Sequence, residues 1–190
     1  KELKKRELED NEWMELKKIA DRNKINFFAT IFDEEGLDLV KKMRCNSIKI
    51  ASSDINYHQL ISKSAQTKLS IQIDTGNSTI SEIEQTIRII KKQNNNKIII
   101  HYCPTGYPAE NEGINLNYIK FLKKKFGYPV AYSDHSTNLH YSHMAILYGA
   151  SLIEKTITEN KFYPSIEHCM SINASEAKNY IKSLKVTKKM

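Results

Sequence analysis

Short apolar runs alternate with amphipathic stretches along the whole chain. The runs Ile25–Thr30, Ser47–Ala51, Leu69–Asp74, Lys97–Tyr102, Pro129–Ser133 and Leu152–Ile157 are brief and rich in β-branched or aromatic residues. Most read as continuous apolar stretches, which is the pattern of strands buried on both faces of a parallel sheet. Helical spacing takes over between them. Trp13, Leu16, Ile19 and Ala20 form one apolar stripe, Leu37, Val40 and Met43 a second, and Ile80, Ile83, Ile87 and Ile90 the clearest. Thr79-Ile80-Ser81-Glu82 has the form of a capping box in front of that third stripe. Leu116, Ile119, Leu122 and Phe126 follow, then Met144 to Tyr148, and a last helix opens at Asn173-Ala174-Ser175-Glu176 and carries Ala177, Tyr180, Ile181 and Leu184. Stripes at this spacing predict core contacts.

Six β-then-α units in succession predict the α/β class with a parallel sheet, and their length, roughly 20 to 35 residues, fits a βα barrel. A doubly wound sheet is the alternative. No GxGxxG follows the first strand, so nothing points to a dinucleotide site. No stretch has linker composition, and residues 1–190 read as a single domain.

Composition changes this picture little. Apolar residues make up 40% and charged residues 27% of the chain, ordinary values for a globular protein. No apolar run reaches the length of a membrane span, and the opening KELKKRELED lacks the apolar core of a signal peptide. Cys45, Cys103 and Cys169 are odd in number and widely spaced, which fits neither a disulfide framework nor CxxC zinc spacing and predicts a reducing, cytoplasmic setting. The net charge of +7 raises nucleic acid as a partner. The lysines, however, are interleaved with Glu and Asp on helix faces, with few aromatics among them to stack bases, and predict a solvated surface instead. Neither nucleic acid nor membrane is expected as a partner.

Polar residues gather where the predicted strands end, and in parallel α/β folds the active site lies at the C-terminal strand ends. The first strand ends in Thr30. The second carries Lys49 and runs into Ser52-Ser53-Asp54, and the third runs into Asp74-Thr75-Gly76. The fourth leads to His101-Tyr102-Cys103-Pro104-Thr105-Gly106-Tyr107-Pro108, the fifth ends in Ser133-Asp134-His135, and the sixth holds Glu154 and Lys155. A lysine in the middle of an apolar strand is costly to bury without an anion nearby.

The segments FFATIFD, IKIASSD, IDTGNST, CPTGYPAENEGINL, AYSDH, GASLIEKTIT and PSIEH resemble those of the sialic-acid synthase family, in order and at matching spacing. The resemblance covers nearly the whole chain. It implies a partial (β/α)₈ barrel, strands three to eight with outer helices, and a fragment that lacks two preceding βα units and a following antifreeze-like domain. The implied reaction condenses phosphoenolpyruvate with an N-acyl amino sugar to a sialic-acid-like nonulosonic acid and releases phosphate, with a divalent Mn²⁺ or Mg²⁺ ion as Lewis acid. A homodimer is implied for the full-length protein.

Carried over by residue, the resemblance makes Thr30, Lys49, Ser52 and Ser133 the phosphoenolpyruvate contacts. Asp54, Thr105, Tyr107 and Glu167 fall where the family contacts the sugar. Glu154 matches the active-site glutamate, and His135 a metal-binding histidine. The family's second metal histidine is Thr156 here, with His101 as a possible replacement ligand, and an expected serine is Asp74. His168 and Cys169 have no assigned role, and Lys155 should point away from Glu154.

Two alternatives stand beside this expectation. A 3-deoxy-octulosonate phosphate synthase type would need Arg and Lys for a phosphosugar, yet Arg6, Arg22, Arg44 and Arg88 all fall on or beside predicted helices. A non-catalytic barrel remnant is favoured by Asp74 and Thr156 and opposed by Lys49, Ser133-Asp134-His135 and Glu154.

Overall fold

The computed structural model describes residues 7–190. Among the described residues the α-helices and strands follow in the order α1 (Asp10–Arg22), β1 (Ala29–Ile31), α2 (Glu34–Lys42), β2 (Ser47–Ile50), α3 (His58–Gln66), β3 (Ser70–Asp74), α4 (Ile80–Lys92), β4 (Ile98–Tyr102), α5 (Asn117–Phe126), β5 (Val130–Asp134), α6 (His140–Leu147), β6 (Leu152–Lys155), β7 (Ile157–Thr158), α7 (Ile166–Met170), β8 (Ile172–Asn173) and α8 (Ala177–Thr187). The six longer strands follow the sheet order β1-β2-β3-β4-β5-β6, and β7 pairs with β8 separately. The β1–β2, β4–β5 and β5–β6 ladders are all parallel. This is the expected α/β order, six consecutive units of a partial (β/α)₈ barrel.

The described residues form two compact units, 7–72 with 80–97, and 73–79 with 98–190. In the first, Ile48 and Ile50 of β2, Ile71 of β3 and Ile83 and Ile90 of α4 are fully enclosed. Asp33 caps α2 by accepting from the Gly36 amide at 2.7 Å, and α3 packs on α4. The α1 stripe departs from expectation: only Ala20 is buried, and Leu16 and Ile19 are exposed. Trp13 instead meets the Phe27 ring edge-on at 6.4 Å. Of the arginines, Arg22 lies on α1 and Arg88 on α4, Arg44 follows α2, and Arg6 lies outside the described residues.

In the second unit β5 runs between β4 and β6, every β5 residue is buried, and α6 packs on α8. The expected start of the last helix is present as a capping box between Asn173 and Glu176.

One device recurs in both units. Each helix from α1 to α6 is followed within two residues by a left-handed residue: Lys24, Arg44, Lys68, Asn94, Gly127 and Gly149. That conformation closes the last helical turn and redirects the chain into the next strand. At Gly149, with φ +100, a side chain would be strained whatever the space around it.

Two sequence expectations are corrected. The strand expected over Ile25–Thr30 is only Ala29–Ile31, because β1 is the outermost strand in the sheet order and Ile25 stays exposed. The strand expected over Leu152–Ile157 is broken at Thr156, because Thr156 accepts from the Ile172 amide as the chain leaves β6 to form β7.

Candidate functional site

In the first unit, Thr30 of β1 stands in register with Lys49 of β2. Lys49 is buried at 6% exposure, so the expected mid-strand ammonium does enter the interior. Ser52 and Asp54 lie on the short helical turn that follows β2, and the Asp54 carboxylate accepts from Ser53 at 3.0 Å.

The second unit assembles the larger cluster, from the ends of β4, β5 and β6. The β5–β6 register sets Ser133 opposite Glu154. His101 of β4 is fully enclosed, and its Nδ1 lies 3.0 Å from Glu154 Oε2. Glu154 itself is 35% exposed, so the carboxylate has an enclosed side against the imidazole and an open side to solvent. The β4 end is pinned by Thr75, whose amide and hydroxyl both donate to the His101 carbonyl, at 3.1 and 2.8 Å. Asp74, where the resemblance expects a serine, is buried at the end of β3.

His135 follows β5 and is also enclosed. Its Nε2 lies 3.4 Å from Ser133 Oγ. Its Nδ1 lies 3.6 Å from the Cys103 sulfur, and the Tyr107 ring covers the imidazole at 4.4 Å between centroids and 30° between planes. The Ala109 amide donates to the His135 carbonyl and ties the 103–109 loop to β5. The turn that carries Tyr107 depends on Gly106, since at φ +108 a Cβ would meet the Pro108 carbonyl oxygen at 2.8 Å.

Asp134 and Lys155, each next to one of these residues in sequence, point elsewhere. The Asp134 carboxylate accepts from the Ser136 amide at 2.9 Å and from the hydroxyls of Ser136 and Ser142, and it pairs with Lys155 at 3.3 Å. Lys155 also donates to the Ser136 carbonyl. Burial lowers the Lys155 pKa, with the Asp134 charge opposing it. This network anchors β5, β6 and α6 and leaves Glu154 on the other strand face.

The remaining expected residues are surface positions or belong to the β7–α7 segment. Thr105 is exposed in the 103–109 loop, and Glu167 is exposed on α7 with its carbonyl accepting from Ser171. The Thr156 hydroxyl accepts from Ser171 at 2.8 Å, and His168 pairs with Thr158 at 2.7 Å. Among the described residues no group of three or more His, Cys, Asp or Glu side chains is placed to hold a metal ion. At Thr156, where the resemblance expects a second histidine, stands a neutral hydroxyl engaged with Ser171. For His101 to serve instead, Nε2 would have to be the ligand atom, since Nδ1 faces Glu154. Sequence reasoning gave Cys103 no role, and only its place in the loop after β4 signalled its approach to His135.

The NeuB family model matches residues 1–190. The chain is 34% identical over 184 residues to the uncharacterized protein MJ1065 of Methanocaldococcus jannaschii, a match over 97% of this chain and 55% of that protein. It is 30% identical over 187 residues to the N,N'-diacetyllegionaminic acid synthase of Legionella pneumophila, over 96% of this chain and 52% of the relative. The solved N-acetylneuraminic acid synthetase of Leptospira borgpetersenii superposes with a TM-score of 0.91 at 31% identity, over 96% of this chain and 64% of that one. The chain thus spans about half the length of the curated relatives it matches. The match of the family model over residues 1–190 shows that the chain belongs to the NeuB family.

Proposed function

We propose that the protein condenses phosphoenolpyruvate with an N-acyl amino sugar to a nonulosonic acid and releases phosphate. The observation that carries this reading is the polar set at the ends of β4, β5 and β6, with Glu154 Oε2 3.0 Å from the enclosed His101 Nδ1 and the carboxylate partly open to solvent. Polar side chains at the C-terminal ends of adjacent parallel strands are where this fold class does chemistry. A carboxylate beside an imidazole, with one side open, is suited to moving the proton of the attacking water. In this reading Thr30, Lys49, Ser52 and Ser133 contact phosphoenolpyruvate, with the Lys49 ammonium as the principal anion partner. Asp54, Thr105, Tyr107 and Glu167 contact the sugar, and Tyr107 and Ser133 hold the His135 imidazole. A divalent ion bound through His135 would supply Lewis acidity.

Calorimetric titration with phosphoenolpyruvate tests the reading. Binding by the protein, weakened by roughly 1.5–3 kcal/mol in Lys49→Met, is the expected result for a lost charge-assisted hydrogen bond. The engagement of Thr156 with Ser171 favours a second reading, a barrel that no longer turns over. That reading requires the same titration to show no binding.

A further inference from the structure

We propose that Lys155 is a positioning residue for the proposed condensation, holding the chain on both sides of His135 and, through its own strand, the place of Glu154. Three observations carry it. The first is what the ammonium touches. Lys155 Nζ donates to the Ser136 carbonyl at 2.5 Å and to the Asp134 carbonyl at 3.3 Å, and it lies 3.3 Å from Asp134 Oδ1. An ammonium has three protons to donate. The three oxygens it meets all belong to the residues immediately before and after His135.

The second is enclosure. The Lys155 and Asp134 side chains are 3% and 0% exposed, so little water competes for these contacts. Apolar side chains would fill the same space at no loss of stability, so packing alone does not call for a buried ammonium here. The grip is also backed from outside. The Ser142 hydroxyl donates to Asp134 and in turn accepts from the Tyr180 hydroxyl at 2.7 Å, which carries the network through α6 to α8.

The third is alternation. Successive residues of a strand point to opposite faces. Asp134 stands opposite Lys155 in the β5–β6 register, one step after Ser133 opposite Glu154. The pair on one face therefore sets the two strand ends from which Ser133 and Glu154 project on the other. The inference rests on the reading above for the reaction that Lys155 serves. Its decisive measurement involves no turnover and no phosphoenolpyruvate, so its failure is separate from failure of that reading.

Imidazole ¹H–¹⁵N correlation spectra of the purified protein test the role, with the His135 signals assigned from His135→Ala. Lys155→Met removes the donor but strands the Asp134 charge. Lys155→Met/Asp134→Asn leaves no stranded charge and keeps an acceptor for the Ser136 amide, and circular dichroism shows which variants fold. In a folded variant the His135 ring signals should move by more than a linewidth, while those of His58, in the other unit, stay in place. A loss of stability alone would leave the His135 signals of the folded protein unmoved. In turnover the folded double variant should lose on the order of 10²-fold in kcat, the cost of a small misplacement. His135 signals that coincide with the wild type in a folded variant, or wild-type kcat in the folded double variant, would overturn the proposal. A wild type without turnover counts against the condensation, and the ring signals then decide the role of Lys155 by themselves.

Discussion

His101 Nδ1 lies 3.0 Å from Glu154 Oε2, and the two residues come from different strands with β5 between them. The imidazole is fully enclosed, so its polar edge depends on what β6 presents. Glu154→Gln keeps the shape of the partly exposed side chain, removes its charge and should shift the unfolding free energy by under about 1 kcal/mol. Glu154→Ala also uncovers the enclosed His101 imidazole and should cost more, about 1–3 kcal/mol. If Glu154 moves a proton in turnover, the glutamine variant should still lose about 10²-fold or more in kcat. Equal stability of the two variants in chemical denaturation would show that the pair does not hold the fold.

The Asp134–Lys155 pair makes a sharper stability prediction. Both side chains are enclosed, at 0% and 3% exposure. Asp134→Ala leaves a buried ammonium without its counter-charge and removes the acceptor of the Ser136 and Ser142 hydroxyls. It should cost about 3–5 kcal/mol. Adding Lys155→Met should recover part of that loss, because the stranded charge is gone. A double variant no more stable than the single one would place the cost in the serine hydrogen bonds alone.

Alkaline stability should depend on Tyr180. Burial pushes its phenol up from 10.0 to about 12, against the hydrogen bond to Ser142 and with the charge of Asp134 adding to the rise. The folded state therefore holds the proton more tightly than the unfolded chain does. This contribution is fully present below pH 10 and is lost as pH rises from 10 toward 12, at up to about 1.4 kcal/mol per pH unit. Tyr180→Phe should give a shallower fall in unfolding free energy across that window. An unchanged slope would assign the alkaline loss to the other tyrosines whose phenols are raised, Tyr102, Tyr118 and Tyr132.

The six-strand order was legible because isoleucine-rich runs such as the one in β4 have no other comfortable environment. Helix α3 was not. Its buried side includes Ser64 and Ala65 beside Leu60 and Ile61, and Ser64 is satisfied only by turning its hydroxyl back to the Leu60 carbonyl. An apolar count misses that kind of face. The small β7–β8 ladder was missed because two-residue strands carry no periodicity. The strand-end positions of His101, Ser133, His135 and Glu154, and the place of Lys49 within β2 of the other unit, were readable. The partner choices were not: His101 selecting Glu154, and Cys103 approaching His135, depend on register between strands and on the loop turning at Gly106.

The central claim is tested most directly by calorimetric titration of the purified protein with phosphoenolpyruvate, with Mn²⁺ or Mg²⁺ present, beside Lys49→Met. The account predicts saturable binding by the wild type, weakened by roughly 1.5–3 kcal/mol in the variant. Absence of phosphoenolpyruvate binding by the folded wild-type protein would contradict it.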